Sequence, residues 1–198
     1  MDTDFPAAHS MDVSWFAVDQ DGHVAYFQSG ENGTVPVKAF RAEMPPDVLQ
    51  PLLARVNEPP PSPEEDDEEE EDDLWFLEPE QAARLGFFVY LGSTRVFSGP
   101  YRLCERPERP LHIDTAPPAL RQGIKRVQFA SLCFDQTTEL TPCDHTRCEG
   151  WGPAYLSGDG RTVRPLPGRE EEYRVWCRGL RQGKPDLFTQ YRFEGLDE

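Results

Sequence analysis

The sequence lacks any apolar run approaching the roughly 20 residues that a bilayer-spanning helix needs. Its first ten residues, Met1 to Ser10, carry two aspartates and show neither the basic n-region nor the apolar core of a secretory signal. Cysteine is scarce, at 5 in 198 residues, and the odd number leaves at least one thiol unpaired. That count argues against a disulfide scaffold and for a reducing compartment. Together these absences predict a cytoplasmic protein with no membrane contact. Several motifs are also missing: the phosphate-cradling G-x-x-x-x-G-K-[ST] loop, the G-x-S-x-G elbow, the H-E-x-x-H helix and the dinucleotide fingerprint. Enzymatic readings therefore lack a complete constellation. No period repeats along the chain, which excludes a solenoid or propeller.

What the sequence has in excess is negative charge, −16 overall, and it is unevenly placed. Residues 1–63 hold nine acids and three bases, residues 64–73 are the unbroken run EEDDEEEEDD, and residues 74–198 hold 17 acids against 17 bases. All of the net acidity lies in the first third. Within the neutral part 15 of the 17 bases are arginine, whose planar donor fork suits carboxylate and phosphate pairing, although a GC-rich genome gives the same bias. The acidic run follows EPPPSP at 58–63. Proline-rich sequence resists helix and sheet, and ten like charges repel one another with nothing apolar to bury. A mobile loop or linker is expected over 58–73, inserted in a single domain 1–198, because the 57 residues before it are a thin basis for a core of their own.

The remaining pattern is that of an α+β fold with a mainly antiparallel sheet and a few short helices. VSWFAVD and HVAYFQS flank QDG, so aromatic and β-branched residues surround an Asp21-Gly22 pair that supplies positive φ, and a hairpin follows. Strands are expected over 12–18, 22–28, 86–91 and 126–134, with Trp15, Phe27, Phe88, Val127 and Phe129 in the core. TRVFSGPYRLCER reads as further strand with a turn at Gly99-Pro100, and PAYLSGDGRTVRPL as a second hairpin around Gly158-Asp159-Gly160. Helical spacing appears in DVLQPLLARV at 47–56, in PEQAARL and in PPALRQGI. Over 169–181 Tyr173, Trp176 and Leu180 share a helical face, with a strand over YRVWC as the competing reading.

SWFAVDQDGHVAYFQSGENGTVP, residues 14–36, and PLHIDTAPPALRQGIKRVQF, residues 110–129, resemble segments of uncharacterised bacterial proteins with a tryptophan-containing first hairpin and a later PPALR-type helix. The resemblance covers about a fifth of the chain and implies a bacterial cytoplasmic protein. It brings no activity, cofactor or catalytic residue to these positions.

The richest chemistry lies in TPCDHTRCEGW, residues 141–151, expected as a surface loop. Cys133, Cys143, His145 and Cys148 form C-x9-C-x-H-x2-C, and three thiolates with one imidazole are a normal tetrahedral set for structural zinc. Against this, Cys133 sits in the apolar SLCF, where a cysteine is more often a small core residue, and Cys-x-His is not a knuckle spacing. A nucleophilic cysteine would need a base or positive field, which His145 offers Cys143 and Arg147 offers Cys148. Cys104 and Cys177 read as buried. DQDG at 19–22 is similar to the start of a calcium loop, but position twelve is Gly30 instead of a glutamate, and a hairpin turn explains it better.

Nucleic acid is disfavoured as a partner, because −16 repels phosphates and the arginines are interspersed with acids. Two function classes remain. One is a non-catalytic protein-binding module, such as an immunity-type or inhibitory partner of a basic toxin or nuclease, using no cofactor and steered by its acidic segment. The alternative is an enzyme or small zinc-binding protein built on Cys143, His145 and Cys148.

Overall fold

A computed structural model describes residues 13–30, 33–39, 77–92, 99–149 and 152–196. The expected helix 47–56, the acidic segment 58–73, the first part of the 94–106 strand and Trp151 lie outside the described residues.

The hairpin forms where Asp21-Gly22 was expected to turn the chain. β1 (Ser14–Asp19) pairs antiparallel with β2 (Val24–Gln28), with Trp15 opposite Phe27 and Val18 opposite Val24. Gly22 has φ 82°, and a side chain there would run into the His112 ring. Every residue from Trp15 to Asp19 and from Val24 to Phe27 is buried, so the hairpin has no solvent face. It is the centre of a sheet, and its apolar content on both faces is the sequence signature of that position.

β4 (Phe88–Leu91) pairs with β2 in parallel, β5 (Tyr101–Glu105) returns antiparallel beside β4, and β7 (Glu139–Leu140) closes that edge. On the other side β6 (Gln128–Phe129) lies parallel to β1, giving the order β6-β1-β2-β4-β5-β7. The α+β class therefore holds, while the sheet is mixed, with parallel neighbours at β1–β6 and β2–β4. Their connections include helices, as parallel pairing requires a long crossover.

One face of the sheet packs Phe16, Val18, Tyr26, Phe87 and Val89 against α1 (Pro79–Arg84) and α2 (Pro118–Ile124), which contribute Ala82, Leu120 and Ile124. The other face is aromatic. Trp15 stacks on Phe27 at 3.9 Å between centroids, Phe27 stacks on Tyr90 at 5.0 Å, and Phe129 and Phe134 close around them edge-on. All five residues expected in the core, Trp15, Phe27, Phe88, Val127 and Phe129, belong to this second cluster. Its polar tips are satisfied: Tyr101 Oη accepts from Trp15 Nε1 and donates to the Thr34 carbonyl, and Tyr90 Oη donates to the Thr137 carbonyl.

The C-terminal third builds a second layer. β9 (Ala154–Leu156) and β10 (Thr162–Pro165) form the second hairpin, and β11 (Arg192–Phe193) adds in parallel to β10. The Asp159 carboxylate holds the turn by accepting from the Arg161 and Thr162 backbone N–H groups. Residues 169–181 resolve as helix: α3 (Glu170–Gly183) carries three glutamates in its first turn and Arg181 in its last, both favourable to the helix dipole. It buries Tyr173 and Cys177 against Val163 and Leu156, and α4 (Leu187–Gln190) adds Phe188. No helix among the described residues is long and apolar enough to cross a membrane.

Candidate functional site

Residues 141–149 meet the expectation of a surface loop only in the middle, where Asp144, His145 and Arg147 are exposed. Thr141 and Pro142 are buried, Pro142–Asp144 makes a 3-10 turn, and Cys148–Glu149 forms β8, which pairs antiparallel with β3 (Val35–Pro36). That pairing draws Cys148 inward, where it joins Tyr155 and Leu166, with Cys143 packed against the same cluster. Burial pushes the Cys148 thiol well up, and the neighbouring Cys143 thiol adds to the shift. The Cys148 S–H donates to the Thr146 carbonyl at 3.7 Å, a weak bond suited to a protonated thiol.

His145 leaves the 3-10 turn in another direction. Its ring meets Phe129 edge-on at 5.8 Å, and burial lowers its pKa, with Asp144 opposing the shift. Asp144 ties the turn to the C-terminal layer: its carboxylate accepts from the Gly158 N–H at 2.9 Å and from Arg164 Nη1 at 3.3 Å. Arg164 in turn bonds Glu194 through Nε at 2.8 Å. Of the four residues in the zinc spacing, the structure thus brings Cys143 and Cys148 together and turns His145 onto the aromatic core.

Cys133 belongs to a different group. Among the described residues, the group of three or more candidate ligand atoms that all lie within 4.8 Å of one another is that of Asp19, Asp21 and Cys133. The Cys133 thiol is shifted up, first by its hydrogen bond with Asp21. Asp19 explains the grouping. Its fully enclosed carboxylate accepts from the backbone N–H groups of Asp21 at 3.0 Å and His23 at 2.8 Å through Oδ1, and from Phe134 at 2.8 Å through Oδ2. Gln20 N–H donates to the Leu132 carbonyl beside it. The expected strand 126–134 is therefore strand only at 128–129, because Asp19 captures Phe134 and curls the chain around the hairpin tip. With three backbone donors already on it, the Asp19 carboxylate is a structural clasp between the hairpin and the 130–134 turn.

No family model, curated protein or solved structure matches the chain.

Cys104 is exposed, contrary to the expectation of burial, because β5 alternates and Tyr101 takes the inward place. Cys177 is buried as expected, and its thiol is raised by burial. The thiols of Cys104, Cys133, Cys148 and Cys177 are all shifted toward the protonated form, the opposite of what a nucleophile needs.

A concavity of about 310 Å³ on the C-terminal layer was not singled out in the sequence. Arg174, Arg178 and Arg181 line it from α3, beside Cys177, with Gly195 and Leu196 opposite. The signal was present as arginines at positions 174, 178 and 181, three and four residues apart in a helix, but charge neutrality over 74–198 concealed it.

Proposed function

We propose that the protein is a non-catalytic protein-binding module whose partner is a basic protein, in the manner of an immunity-type or inhibitory protein. The observation that carries this reading is the segregation of charge: ten contiguous carboxylates at 64–73 on a chain whose last 125 residues are neutral. Such a field raises encounter rates with a cationic surface over about 8 Å at physiological salt. The buried, upward-shifted Cys148 thiol is no ready nucleophile, which removes the pairing of Cys148 with Arg147 from the enzymatic alternative.

The test replaces 64–73 with a Gly/Ser linker of equal length. Both chains are immobilised and exposed to bacterial cytosol, captured proteins are identified, and association is measured at low and physiological salt. A captured partner with pI above ~9 and an on-rate that falls about tenfold in the replaced chain at low salt is expected. Equal on-rates for the two chains at every salt concentration would refute the reading.

A zinc-binding reading is favoured by one observation, the packing of Cys143 against the cluster that holds Cys148. It requires His145 to leave Phe129 and a fourth ligand other than Cys133. Zinc content below about a tenth of an equivalent, in protein purified without chelator, removes it.

A further inference from the structure

We propose that the arginine-lined concavity of the C-terminal layer is a binding site for a small phosphomonoester. α3 presents Glu171, Arg174, Arg178 and Arg181 along one flank, rising about 15 Å over the three turns they span. The neighbouring stripe, Tyr173 and Cys177, is buried against β9 and β10. The chain after β11 forms the facing wall at Gly195 and Leu196, so the arginines border a hollow and not a flat helix surface.

The arginines are not balanced locally. Arg174 Nη1 pairs with Glu171 at 2.9 Å. Arg181 places its guanidinium 4.8 Å over the Phe188 ring, which fixes its plane without neutralising it. Among the described residues Arg178 has no hydrogen-bond or ion-pair partner, although it lies four residues from Arg174 and three from Arg181. Like charges at those spacings weaken a helix. A cluster kept at that cost, and gathered around a hollow, is a ready counter-charge for an anion.

The surplus is three guanidinium groups against one carboxylate. A phosphomonoester carries about −1.5 to −2 at pH 7 and offers three acceptor oxygens to the planar forks. A hollow near 310 Å³ stands at the low end of the ~300–1,000 Å³ range of small-molecule pockets. It suits a phosphate with a short organic body, which Leu196 and the Cys177 side chain would contact. The chain's net charge of −16 repels a nucleic-acid polymer, so a small ligand fits better than a strand. Glu171 is positioned to hold Arg174 until the phosphate takes it, or to accept a hydroxyl of the ligand body.

The test uses the whole chain with inorganic phosphate and phenyl phosphate as probes, followed by amide NMR titration. Shifts confined to residues 174–181 and 195–196, a dissociation constant near ~1 mM or tighter for the ester, and weaker binding of free phosphate are expected. Arg178→Ala and Arg181→Ala should each weaken the ester at least about tenfold, Arg178→Lys should restore part of the loss, and Arg102→Ala on β5 should change nothing. All three α3 arginines are exposed, so the substitutions leave the core untouched and circular dichroism verifies the fold. Equal affinity in Arg178→Ala, or shifts spread over the surface, overturns the site. Asp197 and Glu198 follow Leu196 outside the described residues, so a chain with D197N and E198Q is titrated in parallel. Ester binding that appears only in that chain would assign the arginines to the terminal carboxylates and equally overturn the proposal.

Discussion

Replacing Asp19 tests whether one carboxylate joins the hairpin to the 130–134 turn. Its side chain is fully enclosed and accepts three backbone N–H groups. Asp19→Ala leaves those donors without partners at roughly 1–3 kcal/mol each, and water reaches the turn amides of Asp21 and His23 more readily than it reaches Phe134. A loss of about 3–6 kcal/mol follows, a large part of the 5–15 kcal/mol typical of a domain. Asp19→Asn keeps the shape. Its oxygen continues to serve Asp21 and His23, while its amide nitrogen turns a donor toward the Phe134 N–H, and about 2–3 kcal/mol should be lost. Urea unfolding followed by tryptophan fluorescence measures both, and amide hydrogen exchange of Phe134 reports the broken bond in the Asn variant. If Asp19→Asn lies within about 0.5 kcal/mol of the parent, or Phe134 keeps its protection, the clasp is not what holds the turn.

Three further outcomes are expected. The folded His145 pKa is lowered, so the neutral ring is the form the fold prefers. Stability from this group is complete above its unfolded pKa near 6.5 and declines as pH falls below it; melting temperatures between pH 7.5 and 5 should drop less in His145→Gln, and parallel profiles would contradict this. The Asp159 pKa is depressed to about 2, chiefly by the Thr162 hydroxyl, so its contribution is present above pH ~4 and lost as pH falls through about 2. Because Asp159 is exposed, Asp159→Ala should cost no more than ~1 kcal/mol, or about 2–4 °C in melting temperature at pH 7, and a larger loss would mean that the turn is wrongly understood. With an aromatic disulfide reagent at neutral pH, Cys104 should react first, and Cys148 and Cys177 only on unfolding. Labelling of Cys148 as fast as Cys104 would show that β3–β8 does not cover it.

The first hairpin was legible because local chemistry decides it: apolar residues on both sides of Asp21-Gly22 leave the chain few other choices. α3 was legible for a similar reason, with Tyr173, Trp176 and Leu180 at helical spacing, and the structure decides for helix over the competing strand at YRVWC. Strand partners were not, since a short apolar strand records how deeply it is buried and not which neighbour buries it. β4 and β6 thus came out parallel to β2 and β1 in a sheet expected to be mainly antiparallel. The cysteine spacing misled through the same gap. Counting ligands along the chain treats 133–148 as one loop, whereas Asp19, more than a hundred positions earlier, reassigns Cys133, and β3 reassigns Cys148. The arginine hollow required knowing that α3 and the chain after β11 face each other.

The central hairpin also sets an order of events during synthesis. β1 and β2 leave the ribosome before the other described strands, yet the strand that flanks β1 arrives with Gln128, about 110 residues later than Val18. At roughly 5–20 residues per second, a ribbon apolar on both faces waits some 5–20 s for its neighbour. Its aromatic surface and unpaired strand edges resemble those that chaperones recognise, and chains truncated before residue 128 should accumulate as aggregates. In the cell, the yield of this protein would then depend more on translation speed and chaperone supply than on the stability of the finished fold.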